Sequence, residues 1–287
     1  MGAVTARLGP SAALVGPGDD AAVVAAPDGR VVATTDVLVE GVHFRRDWSS
    51  AHDVGRKAAA ANLADVAAMG AAGTALLVGL TAPGDLPVAW ALELADGLRE
   101  EAARAGAEVV GGDTVRGDAV VVAVTALGDL RGRPPVLRTG ARPGDVVVHA
   151  GRLGWSAAGL ALLQAGADGP AALLAAHRAP EVPYALGPAL AGLGARAMCD
   201  VSDGLVADAL TLAAGVALDL DPPAPDPGVD EAHVLHGGED HGLLACLPAG
   251  ALAAAVGLGC HQVGTVVAGS GVRLRGRPVE PQGWEHW

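Results

Sequence analysis

Short β-branched runs and longer alanine-rich runs alternate along the first half of the chain. The β-branched runs, bounded by Gly, Pro or Asp, are typical of strands, and the alanine-rich runs are typical of helices. The predicted elements are a strand over 30–39, a helix over 50–69, a strand over 75–80, a helix over 87–105, and strands over 108–111 and 119–127. Their mixed order predicts an α/β (α+β) fold.

The helix predicted over residues 50–69 carries signals at both ends. Ser50 or Asp53 can cap its start, and Gly70 stands where a glycine commonly ends a helix. Further along, a turn signal at residues 142–145, Arg-Pro-Gly-Asp, precedes an apolar run over 146–149 that is typical of the first strand of a second unit. We therefore predict one domain over residues 1–141 and a second over 142–287.

The second half repeats the mixture of helices and strands. The predicted elements are helices over 157–165, 171–176 and 184–193, and strands over 216–220, 243–246 and 261–267. Residues 221–228 form a proline-rich loop between them. We therefore predict a second domain of mixed helices and strands.

Composition limits the class of protein. The chain has 287 residues, of which 51% are hydrophobic and 18% charged, so it can bury the core of one large or two ordinary domains. No apolar run reaches the roughly 18 residues of a membrane span, and the first residues do not resemble a signal peptide. Three cysteines without CxxC spacing are typical of buried thiols. We expect a cytoplasmic protein.

The formal net charge of −13 excludes the partners that clustered Lys and Arg would hold. We expect neither nucleic acid nor a membrane as a partner. An acidic protein binds phosphate anions when divalent cations stand between the two sets of negative charges. The sequence therefore has to supply clustered carboxylates if it binds a nucleotide.

Six groups of acidic residues stand beside glycine or at the ends of strands. They are residues 18–20, 34–36, Asp65, 111–114, 200–204 and 237–240. Taken singly, most are ordinary turn residues, and Asp203 can cap a helix that begins at Leu205. Asp65 differs, because it lies in an apolar helix where an unpaired charge is expensive, and a cation would explain it. Glycines let backbone N–H groups approach phosphate oxygens, so together the groups indicate a magnesium-assisted polyphosphate site.

Other nucleotide motifs do not fit the chain. Its single lysine, Lys57, lacks the preceding spaced glycines of a Walker A loop. Residues 16–21 match GxGxxA, but two aspartates would face the pyrophosphate, which disfavours a dinucleotide fold.

Read in order, the acidic groups and their neighbours resemble the thiamine-monophosphate kinase family of the aminoimidazole ribonucleotide synthetase superfamily. The matching stretches are residues 18–22, 34–44, 57–70, 111–117, 138–145, 200–205 and 237–240. They cover nearly the whole chain, so the resemblance is specific. It implies a two-domain architecture and a homodimer formed partly by the N-terminal sheet.

The resemblance also implies a set of site residues and two cofactors or co-substrates, Mg²⁺ and ATP. The implied magnesium ligands are Asp20, Thr34, Thr35, Asp36, Asp65, Asp113, Asp200 and Asp203. The implied ATP contacts are Gly112, Asp113, Arg138 and Ser202, and those to thiamine monophosphate are His43, Glu239 and Trp284. An indole can stack on a cationic ring, although a lone Trp more often packs in a core.

The implied reaction is direct in-line transfer of the γ-phosphoryl group of ATP to thiamine monophosphate. The second pKa of a phosphate monoester is about 6, so the acceptor is already a dianion and needs no general base. Positioning and charge neutralisation, by several Mg²⁺ ions and Arg138, are what the protein has to supply.

Two alternatives stay open, another ATP-using enzyme of the superfamily and a non-catalytic, metal-stabilised binding protein. Selenophosphate synthetases need a reactive Cys or selenocysteine near the N-terminus, and the hydrogenase-maturation type ends in Cys. Here the first cysteine is Cys199 and the last residue is Trp287, which disfavours both. The chain departs from the family pattern in having His241-Gly242, where Tyr-Glu is common, and few residues before Asp19.

Overall fold

Two compact units make up the described part of the chain. The computed structural model describes residues 7, 13–14 and 24–282. The N-terminal unit contains the described residues up to 66 together with 71–133, and the C-terminal unit contains 67–70 and the described residues from 134 onwards. The domain boundary at 141/142 stays a prediction.

The N-terminal unit contains a four-stranded sheet and two helices. Its elements are β1 (Val32–Val39), α1 (Ala51–Ala68), β2 (Ala72–Ala82), α2 (Val88–Arg104), β3 (Glu108–Arg116) and β4 (Val121–Asp129). The strand order is β1-β4-β2-β3, in which only β2 and β3 run parallel. The mixed fold class is confirmed.

The two faces of this sheet differ in exposure. On one face Val122, Val124 and Ala126 of β4 are fully buried, and α1 packs so closely there that a Cβ on Gly128 would lie 2.3 Å from Cγ1 of Val66. The opposite face exposes apolar side chains, which include Val37, Leu77 and Val115. We call this face, which also carries Thr35 and Thr125, the open face.

Both predicted ends of helix α1 are confirmed. Ser50 Oγ accepts the Asp53 N–H at 3.1 Å, and the Asp53 carboxylate accepts both the Ser50 hydroxyl and N–H, which is a reciprocal cap. At the other end Gly70 has a φ of 75° and donates its N–H to Ala67 O. A left-handed residue in this position satisfies a carbonyl that the helix leaves unpaired.

The strand predicted over residues 108–111 is too short. In the structure β3 continues to Arg116, because residues 111–116 pair in parallel with β2. Gly112 lies so close to its neighbour that a Cβ there would be 1.9 Å from Val78 O. Glycine disfavours strands locally, but the pairing with β2 overrides that preference.

The C-terminal unit is built on a seven-stranded mixed sheet in the order β11-β10-β7-β9-β5-β8-β6. Its strands are β5 (Val146–Ala150), β6 (Ala197–Val201), β7 (Ala217–Leu220), β8 (Gly242–Leu247), β9 (His261–Val267), β10 (Gly271–Leu274) and β11 (Arg277–Pro278). Its α-helices are α3 (Trp155–Ala165), α4 (Ala171–Arg178), α5 (Leu186–Gly192), α6 (Leu205–Leu212), α7 (Glu231–His236) and α8 (Leu252–Gly257). The sequence did not predict β6, β10, β11, α7 or α8.

Hydrophobic clusters cover both faces of this sheet. Val147, Cys199 and Cys246 belong to one cluster, whereas their strand neighbours Val148 and Met198 belong to the other. Strands β5, β6 and β8 are therefore buried along their whole length. All three cysteines are buried free thiols, as predicted. No helix in the described ranges is long and apolar enough to cross a membrane.

Candidate functional site

One polar group lies where strand β1 meets helix α1. The Thr34 hydroxyl donates to Oδ2 of Asp65 at 2.8 Å, and the Asp36 N–H donates to Oδ1 of Asn62 at 2.8 Å. Thr34 and Asp36 share a face of β1, since side chains two residues apart point to the same side. The structure thus brings Thr34, Asp36 and Asp65 together and gives the carboxylate of Asp65 a hydroxyl partner.

Thr35 points to the other side of β1. Its hydroxyl donates to Val124 O at 2.9 Å and accepts a hydrogen bond from Thr125 at 3.2 Å. The side chain of Thr35 is therefore on the open face, away from Thr34 and Asp36. Successive side chains of a strand point to opposite faces, so the neighbouring positions of Thr34, Thr35 and Asp36 in the sequence already predict that Thr35 is separated from the other two.

Asp113 also lies on the open face, but at the far edge of the sheet. It pairs with Gly79, which pairs with Ala123, which pairs with Val37, and directly paired residues share a face. Three strand spacings separate β1 from β3, roughly 14 Å. Asp113 caps the Thr114 N–H at 2.8 Å. Within one chain, Asp113 and its neighbour Gly112 are therefore remote from Asp36.

His43 is held by main-chain contacts just after β1. Its Nδ1 accepts the Val39 N–H at 3.1 Å, which places the proton of the neutral ring on Nε2. The chain's single lysine, Lys57, is only 3% exposed and donates to His43 O at 3.0 Å. Nε2 of His43 is thus oriented as a hydrogen-bond donor.

A second polar group lies at the carboxyl end of β6 in the C-terminal unit. The N–H groups of Glu239 and His241 donate to Ser202 O and Val201 O at 2.7 and 2.9 Å, so the two segments lie side by side. Asp200 is buried, and its Oδ2 lies 3.1 Å from Nδ1 of His241. The structure brings Asp200, Ser202, Asp203 and Glu239 to this end of the sheet.

Helix α6 begins at Leu205, as the sequence indicated, and its N-cap position is Gly204 rather than Asp203. Oδ2 of Asp208 accepts the N–H groups of Asp203 at 2.9 Å and Gly204 at 3.1 Å and so holds the start of the helix. Burial raises the pKa of Asp208 to about 7, and the charges of Asp200 and Asp203 contribute to the rise. Sequence analysis missed Asp208, although an acid in the first turn of a helix is a recognisable cap signal.

The carboxylates of Asp200, Asp203 and Asp208 lie close enough to act on one another at this end of the sheet. Such a set of oxygen donors suits a hard divalent cation. In the described ranges, however, no three His, Cys, Asp or Glu side chains are grouped tightly enough to hold a metal ion by themselves. Any cation here would take part of its coordination from water, substrate or other groups.

Arg138 lies on an exposed segment beside β6. Leu137 O accepts the Met198 N–H at 3.0 Å, which joins the segment to the strand. Burial raises the pKa of the neighbouring Cys199 thiol, and the positive charge of Arg138 opposes that rise. The guanidinium is therefore within electrostatic range of the acidic end of β6.

Asp240 fixes the loop that carries Glu239. Its carboxylate accepts the N–H groups of Gly154 at 2.5 Å and Ser156 at 2.8 Å at the start of helix α3. Burial raises the pKa of Asp240 to about 6, although both hydrogen bonds oppose the rise. Glu239 has a φ of 63° and His241 a φ of 53°, conformations that few residues other than glycine adopt.

Two predicted site residues, Asp20 and Trp284, lie outside the described residues.

Family models match both halves of the chain. The N-terminal domain of AIR synthase related proteins matches residues 18–130, and the C-terminal domain matches residues 142–277. Both descriptions agree with the superfamily that the sequence motifs indicated.

Curated relatives named thiamine-monophosphate kinase match most of the chain. The protein of Mycobacterium tuberculosis H37Rv is 50% identical over 266 residues, which cover 86% of this chain and 80% of the relative. That of Corynebacterium glutamicum is 44% identical over 250 residues, covering 79% and 76%.

Solved structures of similar proteins share the fold. The thiamine-monophosphate kinase of Stenotrophomonas maltophilia K279a has a TM-score of 0.85 at 32% identity, covering 96% of this chain and 95% of that one. The protein AaThiL in complex with AMPPCP and TMP has a TM-score of 0.83 at 34% identity, covering 90% and 87%. Escherichia coli HypE, at 19% identity and a TM-score of 0.78, shares the fold alone.

Proposed function

Since the chain belongs to the thiamine-monophosphate kinase family of AIR synthase related proteins, we propose that it phosphorylates thiamine monophosphate with ATP to give thiamine diphosphate and ADP. The observation that carries the proposal is the 34% identical AaThiL structure, which holds the ATP analogue AMPPCP and TMP together.

Magnesium ions are part of the proposed reaction. Oxygen ligands suit Mg²⁺, and the chain provides them around Asp36 and Asp65 in one unit and around Asp200 and Asp203 in the other. Thr34, Thr35, Asp113 and Asp20 are the remaining ligands that we propose. Bound Mg²⁺ would neutralise phosphate charge as the γ-phosphoryl group moves.

The side chains of the protein bind and orient the two substrates. His43 donates from Nε2 to a phosphate oxygen of the acceptor, which its main-chain anchored Nδ1 makes possible. Arg138 compensates negative charge in the transition state, while Gly112 and Ser202 contact ATP. Glu239 and Trp284 bind the organic part of thiamine monophosphate. No residue acts as a general base, since the acceptor dianion is itself the nucleophile.

Transfer is direct and in line, without a phosphorylated enzyme. A single displacement inverts the configuration at phosphorus, so ATP that is chiral at the γ-phosphorus should give thiamine diphosphate of inverted configuration. Retention would require two displacements and would contradict the mechanism.

We further propose that the chain forms a homodimer through the open face of the N-terminal sheet. Exposed apolar side chains on one face of a sheet commonly mark an interface, and Val37, Leu77 and Val115, on three strands of this face, are 45%, 39% and 51% exposed. Asp113 and the Thr35-Asp36 segment are at opposite edges of one sheet, with the side chains of Asp113 and Thr35 on the open face, so a second copy offers a way to bring the two edges together in one site. The buried free thiols suit the reducing cytoplasm, where we place the reaction.

A coupled ADP-release assay tests the function. With ATP, Mg²⁺ and thiamine monophosphate we expect steady ADP release and formation of thiamine diphosphate. Free thiamine and aminoimidazole precursors serve as control acceptors. Turnover with the control acceptors alone would identify another enzyme of the superfamily, and no turnover with any acceptor would favour a non-catalytic binding protein.

A further inference from the structure

His177 is buried between helix α3 and the loop that carries Glu239. Its Nδ1 lies 3.1 Å from Oγ of Ser156 and 3.6 Å from Oε2 of Glu239. Both His177 and Ser156 are almost fully buried, while the carboxylate of Glu239 is one-third exposed. Glu239 therefore stands between a buried imidazole and the solvent.

The surroundings leave His177 little freedom to move. Helices α3 and α4 approach so closely that a Cβ on Gly159 would lie 2.1 Å from Leu173 O and 3.1 Å from Cβ of His177. Ser156 is fixed in turn, because its N–H donates to the buried carboxylate of Asp240. The imidazole is thus a rigid support.

The backbone of Glu239 is fixed as well. Its left-handed conformation is held by the hydrogen bond from its N–H to Ser202 O. A Cβ on the preceding Gly238 would lie 2.3 Å from the same carbonyl, so only glycine can approach Ser202 this closely. The side chain of Glu239 extends from this fixed backbone, and His177 is beside it.

We propose that His177, supported by Ser156, is a positioning residue that orients the Glu239 carboxylate toward the cationic organic part of the acceptor substrate. A carboxylate only accepts hydrogen bonds, and 3.6 Å is too long for one, so a proton on Nδ1 of His177 acts on Glu239 by electrostatic attraction while it is donated to Oγ of Ser156. The Ser156 hydroxyl lies next to the same Nδ1 atom and keeps the ring in that orientation. This inference rests on the proposed function, because it assigns Glu239 to thiamine monophosphate.

The test separates acceptor binding from ATP binding. His177→Leu removes the donor at similar volume, and should raise both the Kd and the KM for thiamine monophosphate about tenfold while changing the KM for ATP less than about twofold. His177→Asn keeps an N–H near the position of Nδ1 and should recover most of the affinity. Ser156→Ala should give a smaller loss of the same kind.

A double-variant cycle distinguishes positioning from packing. If His177 acts through Glu239, the double variant His177→Leu/Glu239→Gln should bind thiamine monophosphate no more weakly than Glu239→Gln alone. The pair His52 and Glu100, 3.0 Å apart on the surface of the N-terminal unit, provides the matched control, and His52→Gln should leave all constants unchanged.

The outcomes are distinct. Additive losses in the cycle, an equal loss of ATP affinity, or wild-type affinity in both His177→Leu and Ser156→Ala would each overturn the positioning role. A wild-type protein that neither binds nor phosphorylates thiamine monophosphate would instead refute the proposed function, and this inference with it. Thermal melting of each variant checks that it is folded.

Discussion

At the residue scale, the acidic side chains differ in what surrounds them. Asp65 accepts a hydroxyl hydrogen bond from Thr34, Asp240 accepts two backbone N–H groups, and Asp200 lies beside His241. Partners of this kind stabilise a buried charge. The aspartates therefore differ in what their substitution should change. Substituting a proposed magnesium ligand should lower turnover, whereas substituting Asp240 should change stability.

Loss of a proposed magnesium ligand should abolish turnover and preserve the fold. Asp36→Ala and Asp203→Ala should each lower kcat/KM at least about 100-fold, because transition-state charge loses several kcal/mol of stabilisation. The measurement is ADP release over a range of Mg²⁺ concentrations. Asp168→Ala, in an exposed loop, is the control, and wild-type turnover in Asp36→Ala or Asp203→Ala would contradict the metal assignment.

The buried Asp240 should make stability depend on pH. Its pKa is about 6 in the folded chain, above the ordinary value of 3.8 for an aspartate, so the folded state binds more protons between these values. The free energy of unfolding should therefore fall as pH rises from about 4 to about 6, by up to about 3 kcal/mol from this group.

Urea unfolding of wild type and Asp240→Asn at several pH values measures that contribution. The variant cannot ionise at this position, so its stability should decline less between about pH 4 and 6. Asp208 is present in both proteins, and its own titration cancels in the comparison. Parallel pH profiles for the two proteins would show that Asp240 titrates as in an unfolded chain.

At the scale of elements, close backbone approaches decide where glycine is required. Gly112 lies within β3 against Val78 of β2, and the position of its missing Cβ is occupied by a carbonyl oxygen. Glycine is therefore required at position 112 by the close pairing of two strands. Its own backbone is extended, a conformation that any residue adopts.

Gly112→Ala should destabilise the N-terminal unit. The added methyl group has to displace β3 from β2, which we expect to lower the free energy of unfolding by about 1–3 kcal/mol. Gly192→Ala, in a helix where a Cβ would meet no atom within 4 Å, should be neutral or slightly stabilising. Thermal unfolding compares the two, and equal melting temperatures would indicate that the sheet adjusts freely.

Local signals predicted the elements whose cause is local. The cap at Ser50 and Asp53 and the left-handed Gly70 bound helix α1 where the sequence indicated. The extension of β3 depends on β2, roughly 30 residues earlier along the chain, and no local pattern at Gly111-Gly112 indicates it.

The same distinction holds within the candidate site. Motif spacing already grouped Asp200, Ser202 and Asp203, but His241 and His177 are separated from their contact partners by 41 and 62 residues (239 minus 177). Contacts of that separation exist only once the sheet and helices have formed. Sequence reasoning therefore predicted the acidic groups, noted His241 only as a departure from the family pattern, and missed His177.

At the scale of the whole molecule, the open face of the N-terminal sheet is the feature that a monomer leaves unexplained. Leu77 lies on the central strand β2 of this face. Leu77→Glu should weaken the proposed dimer, since a buried unpaired carboxylate at an interface costs several kcal/mol. Sedimentation should show a protein of half the mass. Val256→Glu, at an exposed position on helix α8, is the control, and an unchanged mass for Leu77→Glu would exclude this face.

Mixing two inactive variants tests whether the dimer completes the site. If Asp36 of one copy works with Asp113 of its partner, Asp36→Ala and Asp113→Ala subunits mixed at random should regain about a quarter of wild-type turnover, because half the dimers are mixed and each has one intact site. A mixture that stays as inactive as either variant would show that each copy supplies both residues to its own site.

Lys57 has a practical consequence outside catalysis. Its ammonium group, the only one on any side chain of the sequence, is buried against the carbonyl of His43. Reagents that acylate primary amines should therefore find no reactive side chain on the described surface. Dyes, biotin and sensor chips are better attached through carboxylates. Acylation of Lys57 would show that the segment around His43 can move away from the ammonium group.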